Sequence, residues 1–204
     1  MTHVLTFEEV THTYRIDDHV VPSVTQVIRE VLAPDEYAGV SREVLDHAAN
    51  RGRAVDRMIE LDLKGELDPD SLHPELLPYW DAWQAFPDRE AWQEDLARIS
   101  QGCVFNSARG YGGTYDLYLP SCGALVDIKA TALVPPTVGV QTAAYADSMA
   151  LDDLDKLPAG VLLKRYCLHV TPTGCRLIPL TEKSDSADFL AALRVFRWRH
   201  RHDG

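Results

Sequence analysis

Three short apolar runs lie between residues 99 and 129, and they constrain the fold more than any other part of the sequence. Each run has the length of a β-strand, and a turn containing glycine separates it from the next. Short turns join antiparallel neighbours, so the segment predicts a meander of three strands. We place these strands at residues 99–106, 113–119 and 124–129.

Helices and further strands surround this meander. Residues 4–21 predict a hairpin that reverses at Asp17 and Asp18, and Ser23 is a good N-cap for a helix that ends at Pro34. The pattern indicates an α/β protein in which helices flank a mixed central β-sheet. The other predicted elements are a helix at 42–63, a polar loop at 64–74, a helical segment at 75–97 interrupted at Pro87, a helix at 138–150, strands at 160–170 and 175–180, and a last helix at about 186–199 capped by Ser184 or Asp185.

The length of 204 residues suits a single domain. We expect an N-terminal hairpin and helix at 1–40, a core at 41–183, and a C-terminal helix with a basic tail at 184–204. No apolar run approaches the roughly 18 residues of a membrane helix, and the N-terminus lacks the basic and apolar regions of a signal peptide. We therefore expect a cytoplasmic protein without a membrane partner.

The formal net charge of −11 argues against a protein that coats nucleic acid through a generally basic surface. One basic segment stands out near the C-terminus, where Arg194, Arg197, Arg199 and Arg201 occur without an acidic residue between them. Arginines near a helix C-terminus suit the helix dipole, and a local basic patch can also bind phosphate groups. Both interpretations of this segment stay open.

Cysteines and aromatic residues give weaker indications. None of the four cysteines forms a C-x-x-C pair or lies beside histidine at zinc-finger spacing, so we expect buried or incidental thiols rather than a metal centre. Trp80, Trp83, Phe86 and Trp92 are typical of helix packing. Stacking on single-stranded bases is the alternative role for these rings.

Paired acidic residues mark the candidate site. Asp116 and Asp127 lie on adjacent predicted strands, and two carboxylates in one pocket need a counter-charge such as Mg²⁺ or Mn²⁺. Lys129 follows Asp127 by two residues and so points to the same face, where a lysine beside a metal can position or activate water. Gly112 and Gly113 leave room for a close backbone approach. The alternative is an ordinary Asp–Lys pair on the solvent face of an edge strand.

Two helices carry polar pairs at a spacing of four residues. Asp56 and Glu60 share one helix face, where they point either to water or to a cation or substrate. Gln141 and Tyr145 share one face of a helix that is otherwise apolar. A polar pair on such a face suggests hydrogen bonds into a site.

These residues form three motifs that resemble those of a known nuclease family. Gly-Gly-Thr-Tyr-Asp ends at Asp116, Val-Asp-Ile-Lys ends at Lys129, and Gln-Thr-Ala-Ala-Tyr begins at Gln141. They resemble the G-x-x-D, (D/E)-x-K and Q-x-x-x-Y motifs of the RecB-like branch of the PD-(D/E)XK nucleases. That branch includes the RecB nuclease domain, CRISPR adaptation exonucleases and phage exonucleases related to lambda exonuclease. The segments HTYRIDDHVVPSVTQVI and RGRAVDRMIE are similar to phage and prophage members, so the resemblance covers about residues 12–166.

The resemblance implies a restriction-endonuclease-like core that binds Mg²⁺, or Mn²⁺ in its place. Asp116, Asp127 and the backbone carbonyl of Ile128 would be metal ligands, and Glu60 would bind the metal directly or through water. Many members carry histidine where this chain has Asp56, which would serve as an oxygen ligand instead. The cysteine cluster of the iron–sulfur members is not reproduced, so we expect no such cluster.

Phosphodiester hydrolysis is the implied reaction. Lys129 would orient or activate the attacking water and stabilise charge on the phosphate, while Gln141 and Tyr145 would shape the site and contact the DNA strand. Many members carry glutamate where this chain has Gln101, and the acid gained at Asp56 would offset that loss.

The implied function is a metal-dependent DNA exonuclease of phage or prophage type, acting on linear DNA in recombination or end processing. An endonuclease of the same superfamily and a non-catalytic DNA- or protein-binding module are the alternatives. The family also admits a homo-oligomer and a recombination partner protein. Because the chain is acidic, we expect a local basic rim to hold the DNA, formed by Arg51, Arg53, Arg57, Arg194, Arg197, Arg199 and Arg201.

Overall fold

The structure is a computed structural model that describes residues 3–35, 38–95, 98–152 and 163–202. Six helices and eight strands are described, together with short 3₁₀ and π-helical turns. In chain order they are β1 (Leu5–Glu8), β2 (Thr13–Ile16), β3 (His19–Val21), α1 (Val24–Val27), α2 (Arg42–Lys64), α3 (Leu77–Gln84), α4 (Arg89–Glu94), β4 (Ile99–Asn106), β5 (Tyr111–Leu119), β6 (Ala124–Lys129), α5 (Thr137–Asp152), β7 (Lys164–Thr171), β8 (Gly174–Pro179) and α6 (Asp185–His202).

Five strands form the central sheet, in the order β4-β5-β6-β7-β8. The strands β4, β5 and β6 are the predicted antiparallel meander, β7 pairs with β6 in parallel, and β8 pairs with β7 in antiparallel fashion. A parallel neighbour requires a crossover connection, and α5 lies in that connection. The predicted α/β class with a mixed central sheet is confirmed.

Two hydrophobic clusters cover opposite faces of this sheet. One joins Leu117 and Val126 to α2, α3 and α4, and the other joins Tyr115 and Leu125 to α1, α5 and α6. The sheet is therefore flanked by helices on both faces, as expected. The aromatic residues at 80, 83, 86 and 92 are buried in the first cluster, so helix packing is their role and base stacking is wrong.

The side-chain alternation of β5 changes at Asp116. Tyr115 packs in the cluster with α5 and α6, whereas Leu117 packs in the cluster with α2 and α3. Residues two apart on a regular strand share a face, so the strand is distorted between these two positions. On β4, the residue across from Asp116 is Gln101, which has a positive φ of 54°. The acidic residue thus sits at an irregular point of the sheet.

A separate small sheet forms the N-terminal segment. The expected hairpin over residues 4–21 is wrong in one respect, because the chain reverses twice and makes three antiparallel strands, β1-β2-β3. The reversal at Asp17 and Asp18 is confirmed, and both residues have positive φ. Tyr14 packs this sheet onto β5 so closely that a Cβ at Gly112 would lie 2.7 Å from the tyrosine ring.

Most helix boundaries agree with expectation. Ser23 caps α1 by accepting from the backbone N–H of Gln26, and α1 continues as a π-helical turn at Ile28–Leu32 before Pro34. The last helix begins directly after Ser184 and ends at His202, three residues later than expected. The helical segment at 75–97 contains two helices, α3 and α4, separated at Pro87, and its end at 96–97 lies outside the described residues. The expected strand start at residues 160–162 also lies outside them.

No helix among the described residues is both long enough and apolar enough to cross a membrane.

Candidate functional site

The two strands that carry the predicted acidic pair separate at that pair. Their pairing ends with Leu117 opposite Val126, so Asp116 and Asp127 come next on the facing strands. The Asp116 carboxylate takes the place of a backbone carbonyl, because its Oδ2 accepts a hydrogen bond from the N–H of Ile128 at 2.7 Å. This bond fixes the first carboxylate against the backbone that carries the second.

Asp127 is held from two directions. The Nζ of Lys129 lies 2.6 Å from its Oδ2, and the Nε2 of Gln141 donates to its Oδ1 at 2.9 Å. The same Gln141 nitrogen lies 3.1 Å from the hydroxyl of Tyr145. Asp127 is 2% exposed and belongs to a central strand, so the alternative of a solvent-facing pair on an edge strand is wrong.

Tyr145 reaches this position because Gly113 has no side chain. A Cβ at Gly113 would lie 2.4 Å from Cε1 of the tyrosine ring. Burial, followed by the charges of Asp127 and Asp116, raises the pKa of Tyr145 well above its usual value. The hydroxyl therefore stays protonated at neutral pH and acts as a hydrogen-bonding group.

Asp56 brings a third carboxylate to the cluster from α2. Its Oδ1 is buried and has no hydrogen-bond partner in the described part of the chain. Burial raises the pKa of Asp56 to about 8, with a further contribution from Asp116 that the charge of Lys129 opposes. Buried polar oxygens normally have a hydrogen-bond partner, so this oxygen is a candidate ligand for a bound cation.

The charges of the cluster act on one another. Burial, and then the neighbouring charge of Asp127, raises the pKa of Asp116 to about 7. Burial alone would lower the pKa of Lys129, but the charges of Asp127, Asp116 and Asp56 raise it above its usual value. Lys129 is therefore a permanent cation, and three carboxylates share it as their counter-charge.

Glu60 lies one turn from Asp56 but its charge is already neutralised. Its two oxygens lie 2.6 Å from Arg57 and 2.6 Å from Lys64, both on the same helix. These contacts lower the pKa of Glu60 despite the opposing effect of partial burial. The predicted metal ligand Glu60 and the predicted DNA contact Arg57 are thus bound to each other.

A cleft of about 780 Å³ opens beside the cluster, and Asp56, Glu60 and Asp116 line it. Part of its wall comes from the N-terminal segment, through Phe7 and His12. Neither residue was assigned to the site from sequence, since only long-range packing of the small sheet on β5 brings them there. The motif-like segment that begins at His12 was the one available signal.

A second recess, of about 440 Å³, also borders Asp56. Leu45, Ala48 and Ile128 give it an apolar lining, and Lys129 also lines it. Arg53 and Asp56 border both spaces. The carboxylate cluster is therefore accessible from two directions.

The seven predicted DNA-contacting arginines fall into two groups on different helices. On α2, Arg53 borders the cleft, Arg57 pairs with Glu60, and Arg51 lies 3.8 Å from Glu75. On α6, three arginines line a separate recess. The remaining one, Arg199, donates to the backbone carbonyl of residue 30 at 2.7 Å. The recess on α6 and the two spaces beside the cluster share no arginine.

Side chains with potential metal-ligand atoms are present, but those described are not arranged as a complete coordination site. Within the described ranges, no three His, Cys, Asp or Glu side chains form a group close enough to hold a metal ion. All four cysteines are free thiols, and burial raises the pKa of Cys167 and of Cys175 to about 12. The aspartates of the cluster are the oxygen donors that a hard cation would find here.

Comparison of the chain with models of known protein families and with curated protein sequences finds no match. The geometry of the carboxylate–lysine cluster is therefore the basis for the functional assignment.

Proposed function

We propose that the protein is a metal-dependent deoxyribonuclease of the PD-(D/E)XK type, acting as an exonuclease on linear DNA. The observation that carries the proposal is the convergence of Asp116, Asp127 and Lys129 where β5 and β6 separate. An acid and a lysine two residues apart share one buried contact, and a second acid faces them from the adjacent strand. The order of the three motifs supports the RecB-like branch and, with it, a restriction-endonuclease-like core.

A divalent cation fits the cluster on chemical grounds. When ionised, Asp56, Asp116 and Asp127 carry three negative charges against the one positive charge of Lys129. Asp56 also holds a buried oxygen that no described group satisfies. Asp116 and Asp127 would hold Mg²⁺ or Mn²⁺, with Asp56 and the carbonyl of Ile128 as further ligands. Such an ion supplies Lewis-acid polarisation of the phosphate and lowers the pKa of a bound water.

Lys129 has an electrostatic role in this proposal. Its raised pKa keeps the ammonium protonated at neutral pH, so it does not accept a proton from water. It attracts the phosphate oxygens and stabilises the charge that grows on them. In the reaction, the water oxygen bonds to phosphorus and releases a proton to solvent, one ester P–O bond breaks, and the leaving oxygen takes up a proton from solvent.

Gln141 has a positioning role. Its amide nitrogen reaches both the Asp127 carboxylate and the Tyr145 hydroxyl, and so links the catalytic strand to α5. The rotamer of Asp127 is thereby fixed before substrate arrives, which is the preorganisation that catalysis needs. Arg53, which borders both spaces beside the cluster, is the arginine best placed to bind a phosphate near it.

Cleavage of end-labelled linear and closed circular duplexes tests the proposal. Each DNA is incubated with Mg²⁺, with Mn²⁺ or with EDTA, using the wild type and the Asp127→Asn and Lys129→Ala variants. Lys164→Ala is the matched control, because Lys164 is exposed on the neighbouring strand. We expect metal-dependent loss of linear DNA alone with the wild type and the control, and at least a 100-fold slower reaction with the two site variants.

Other outcomes assign other activities. Cutting of the closed circles would replace the exonuclease with an endonuclease of the same superfamily. Equal cleavage by the wild type and both site variants would contradict the site itself. A calorimetric titration with Mg²⁺ at millimolar concentration gives a second readout, since Asp127→Asn should remove the binding that the wild type shows.

A non-catalytic nucleic-acid-binding module is the second candidate, and one observation favours it. Lys129 forms an ion pair with Asp127, and Arg57 and Lys64 form ion pairs with Glu60. Two of the four acidic residues predicted to bind metal are therefore already neutralised by basic side chains. Such a protein would bind DNA equally in Mg²⁺ and in EDTA and would cleave no substrate. Absence of both cleavage and metal binding, with DNA binding retained, would favour this candidate.

A further inference from the structure

A separate recess of about 480 Å³ lies between α6 and the turn that joins β4 to β5. Four arginines and two leucines line it, and we refer to it as the arginine recess. Among the described residues, no acidic side chain lines it. Its lining residues are Arg109, Leu190, Leu193, Arg194, Arg197 and Arg201.

The helix dipole does not account for this concentration of charge. Three of the arginines lie at positions i, i+3 and i+7 of α6, which places Arg194, Arg197 and Arg201 on one face. The dipole acts within the last turn, whereas Arg194 lies eight residues before the end of the helix at His202. The fourth, Arg109, belongs to the β-turn and not to a helix at all.

One of these arginines fastens the turn to the helix. Arg197 donates to the backbone carbonyls of Arg109 and Gly110, the latter at 2.9 Å. Gly110 has a left-handed φ of +60°, and a Cβ there would lie only 3.0 Å from the Arg197 guanidinium. The left-handed backbone and the nearby guanidinium both favour glycine at this position. The contact holds Arg109 at the rim of the recess beside the arginines of α6.

The other three guanidinium groups have no described partner. Arg109, Arg194 and Arg201 make no side-chain hydrogen bond or ion pair with any described residue. Burial and the charge of Arg201 both lower the pKa of Arg197, which reflects repulsion inside the group. In a chain of net charge −11, four cations around one space leave an anion as the natural occupant.

An exposed aromatic ring next to the recess indicates a nucleic acid rather than a small inorganic anion. Trp198 is 57% exposed and lies four residues after Arg194 and three before Arg201 on the helix. Arginines beside an exposed indole are suited to contact phosphates and to stack on bases or sugars together. A lone phosphate would make no use of the ring.

We propose that the arginine recess binds backbone phosphates of a nucleic acid, as a second contact separate from the carboxylate cluster. Asp116 lies five residues along β5 from Tyr111, next to the turn, which corresponds to roughly 17 Å at the usual strand rise. The recess therefore holds the polymer several nucleotides away from the cluster. Its assignment to nucleic acid rests on the proposed function, whereas its affinity for phosphate groups does not.

Binding of a fluorescent 20-base-pair duplex in EDTA, followed by anisotropy at several salt concentrations, tests the assignment without any need for cleavage. The recess variant is Arg109→Gln combined with Arg201→Gln. The control is Arg42→Gln combined with Arg176→Gln, which removes the same charge from exposed positions outside the recess. We expect the recess variant to bind at least 10-fold more weakly, with a salt slope smaller by about 2, and the control to stay within about 3-fold of the wild type.

A recess variant that binds like the control would overturn the proposal. Calorimetric titration with inorganic pyrophosphate separates the two sources of phosphate: if the recess variant loses pyrophosphate binding but keeps the wild-type salt slope for DNA, the recess holds a small anion and the nucleic-acid assignment is wrong. If the recess variant shows the expected loss while no protein cleaves DNA, the recess proposal stands and the nuclease proposal fails.

Discussion

The Asp116 carboxylate and the backbone of Ile128 form a 2.7 Å hydrogen bond at the point where β5 and β6 stop pairing. A side chain thus substitutes for the missing backbone acceptor, and the two strands can separate without leaving the Ile128 N–H unsatisfied. The separation leaves Asp116 at the cleft, while Asp127 stays buried beside Lys129 and Gln141. The end of the pairing between β5 and β6 therefore explains both the Asp116–Ile128 hydrogen bond and the position of the candidate site.

Lys129 is expected to stabilise the metal-free protein, because it is the counter-charge for the three carboxylates of the cluster. Replacing it by Met leaves Asp56, Asp116 and Asp127 buried without their counter-charge. We expect Lys129→Met to lower the free energy of unfolding by about 3 kcal/mol at pH 8 in EDTA, measured by urea denaturation. The loss should shrink toward pH 5, where Asp56 and Asp116 take up protons, because burial raises their pKa to about 8 and about 7. Exposed Lys164→Met is the control and should change stability by less than about 0.5 kcal/mol, and equal stability of the two variants at pH 8 would contradict the prediction.

Asp56 should give the metal-free protein a specific pH dependence. Burial and Asp116 raise its pKa to about 8, so the folded state keeps a proton that the unfolded state has lost above about pH 4. The stability that the protonated Asp56 contributes is fully present below its pKa in the unfolded state. It is lost as the pH rises through its pKa in the folded state. An asparagine has no proton to lose. We therefore expect Asp56→Asn to match the wild type near pH 4 and to be more stable by about 5 kcal/mol at pH 9, because a rise of the pKa from 3.8 to about 8 corresponds to about 1.4 kcal/mol per pH unit.

The control for this experiment is Asp46→Asn, an exposed position on the same helix. Its difference from the wild type should stay nearly constant between pH 4 and pH 9. An Asp56→Asn difference that is also constant over this range would mean that the carboxyl group titrates normally. Both series are measured by urea denaturation in EDTA, so that bound metal does not alter the protonation of the cluster.

Replacing the side-chain amide of Gln141 by a carboxylate should destabilise the fold. Gln141→Glu replaces the amide nitrogen that donates to Asp127 by an oxygen that repels it. We expect a loss of about 2 kcal/mol in the free energy of unfolding at pH 8, again in EDTA, because a fourth carboxylate joins a buried acidic cluster. The exposed Gln84→Glu is the matched control. A variant as stable as this control would show that Gln141 does not contact Asp127 in solution.

The cluster of Asp116, Asp127 and Lys129 could be placed from sequence because its geometry is local. A strand alternates its side chains, so Lys129 had to share a face with Asp127, and successive short turns put Asp116 on the adjacent strand. The helix spacing likewise placed Gln141 and Tyr145 together on one face. These relationships depend on periodicity within one element or on neighbouring elements, which sequence patterns express directly.

Relationships that depend on rotamers or on distant contacts were not predictable in the same way. Glu60 lines the cleft, but its ion pairs with Arg57 and Lys64 depend on side-chain conformations and compete with any metal. The distortion at Asp116 could not be read from a period-two pattern, because it requires Gln101 to adopt a positive φ. The arrangement of the N-terminal sheet as part of the cleft wall depends on the packing of Tyr14 against Gly112, about a hundred residues further along the chain.

Gly113 offers a test of how tightly the site is packed. A Cβ there would lie 2.4 Å from Cε1 of Tyr145, a ring that is 2% exposed and cannot move without disturbing its contact with Gln141. We expect Gly113→Ala to destabilise the fold by about 2 kcal/mol. The control is Gly52→Ala in the middle of α2, where a Cβ meets nothing within 4 Å and the better helix propensity should stabilise by about 0.5–1 kcal/mol.

Urea denaturation at pH 7 separates the two glycine variants by the sign of the change. Magnesium binding by calorimetry adds a functional readout, because displacement of Tyr145 also disturbs Gln141 and, through it, the carboxylate of Asp127. Weaker Mg²⁺ binding in Gly113→Ala, with unchanged Mg²⁺ binding in Gly52→Ala, would show that the missing side chain at Gly113 on β5 is needed to align Asp127 on β6. A Gly113→Ala protein as stable as the wild type would mean that β5 and α5 lie farther apart in solution than the 2.4 Å contact requires.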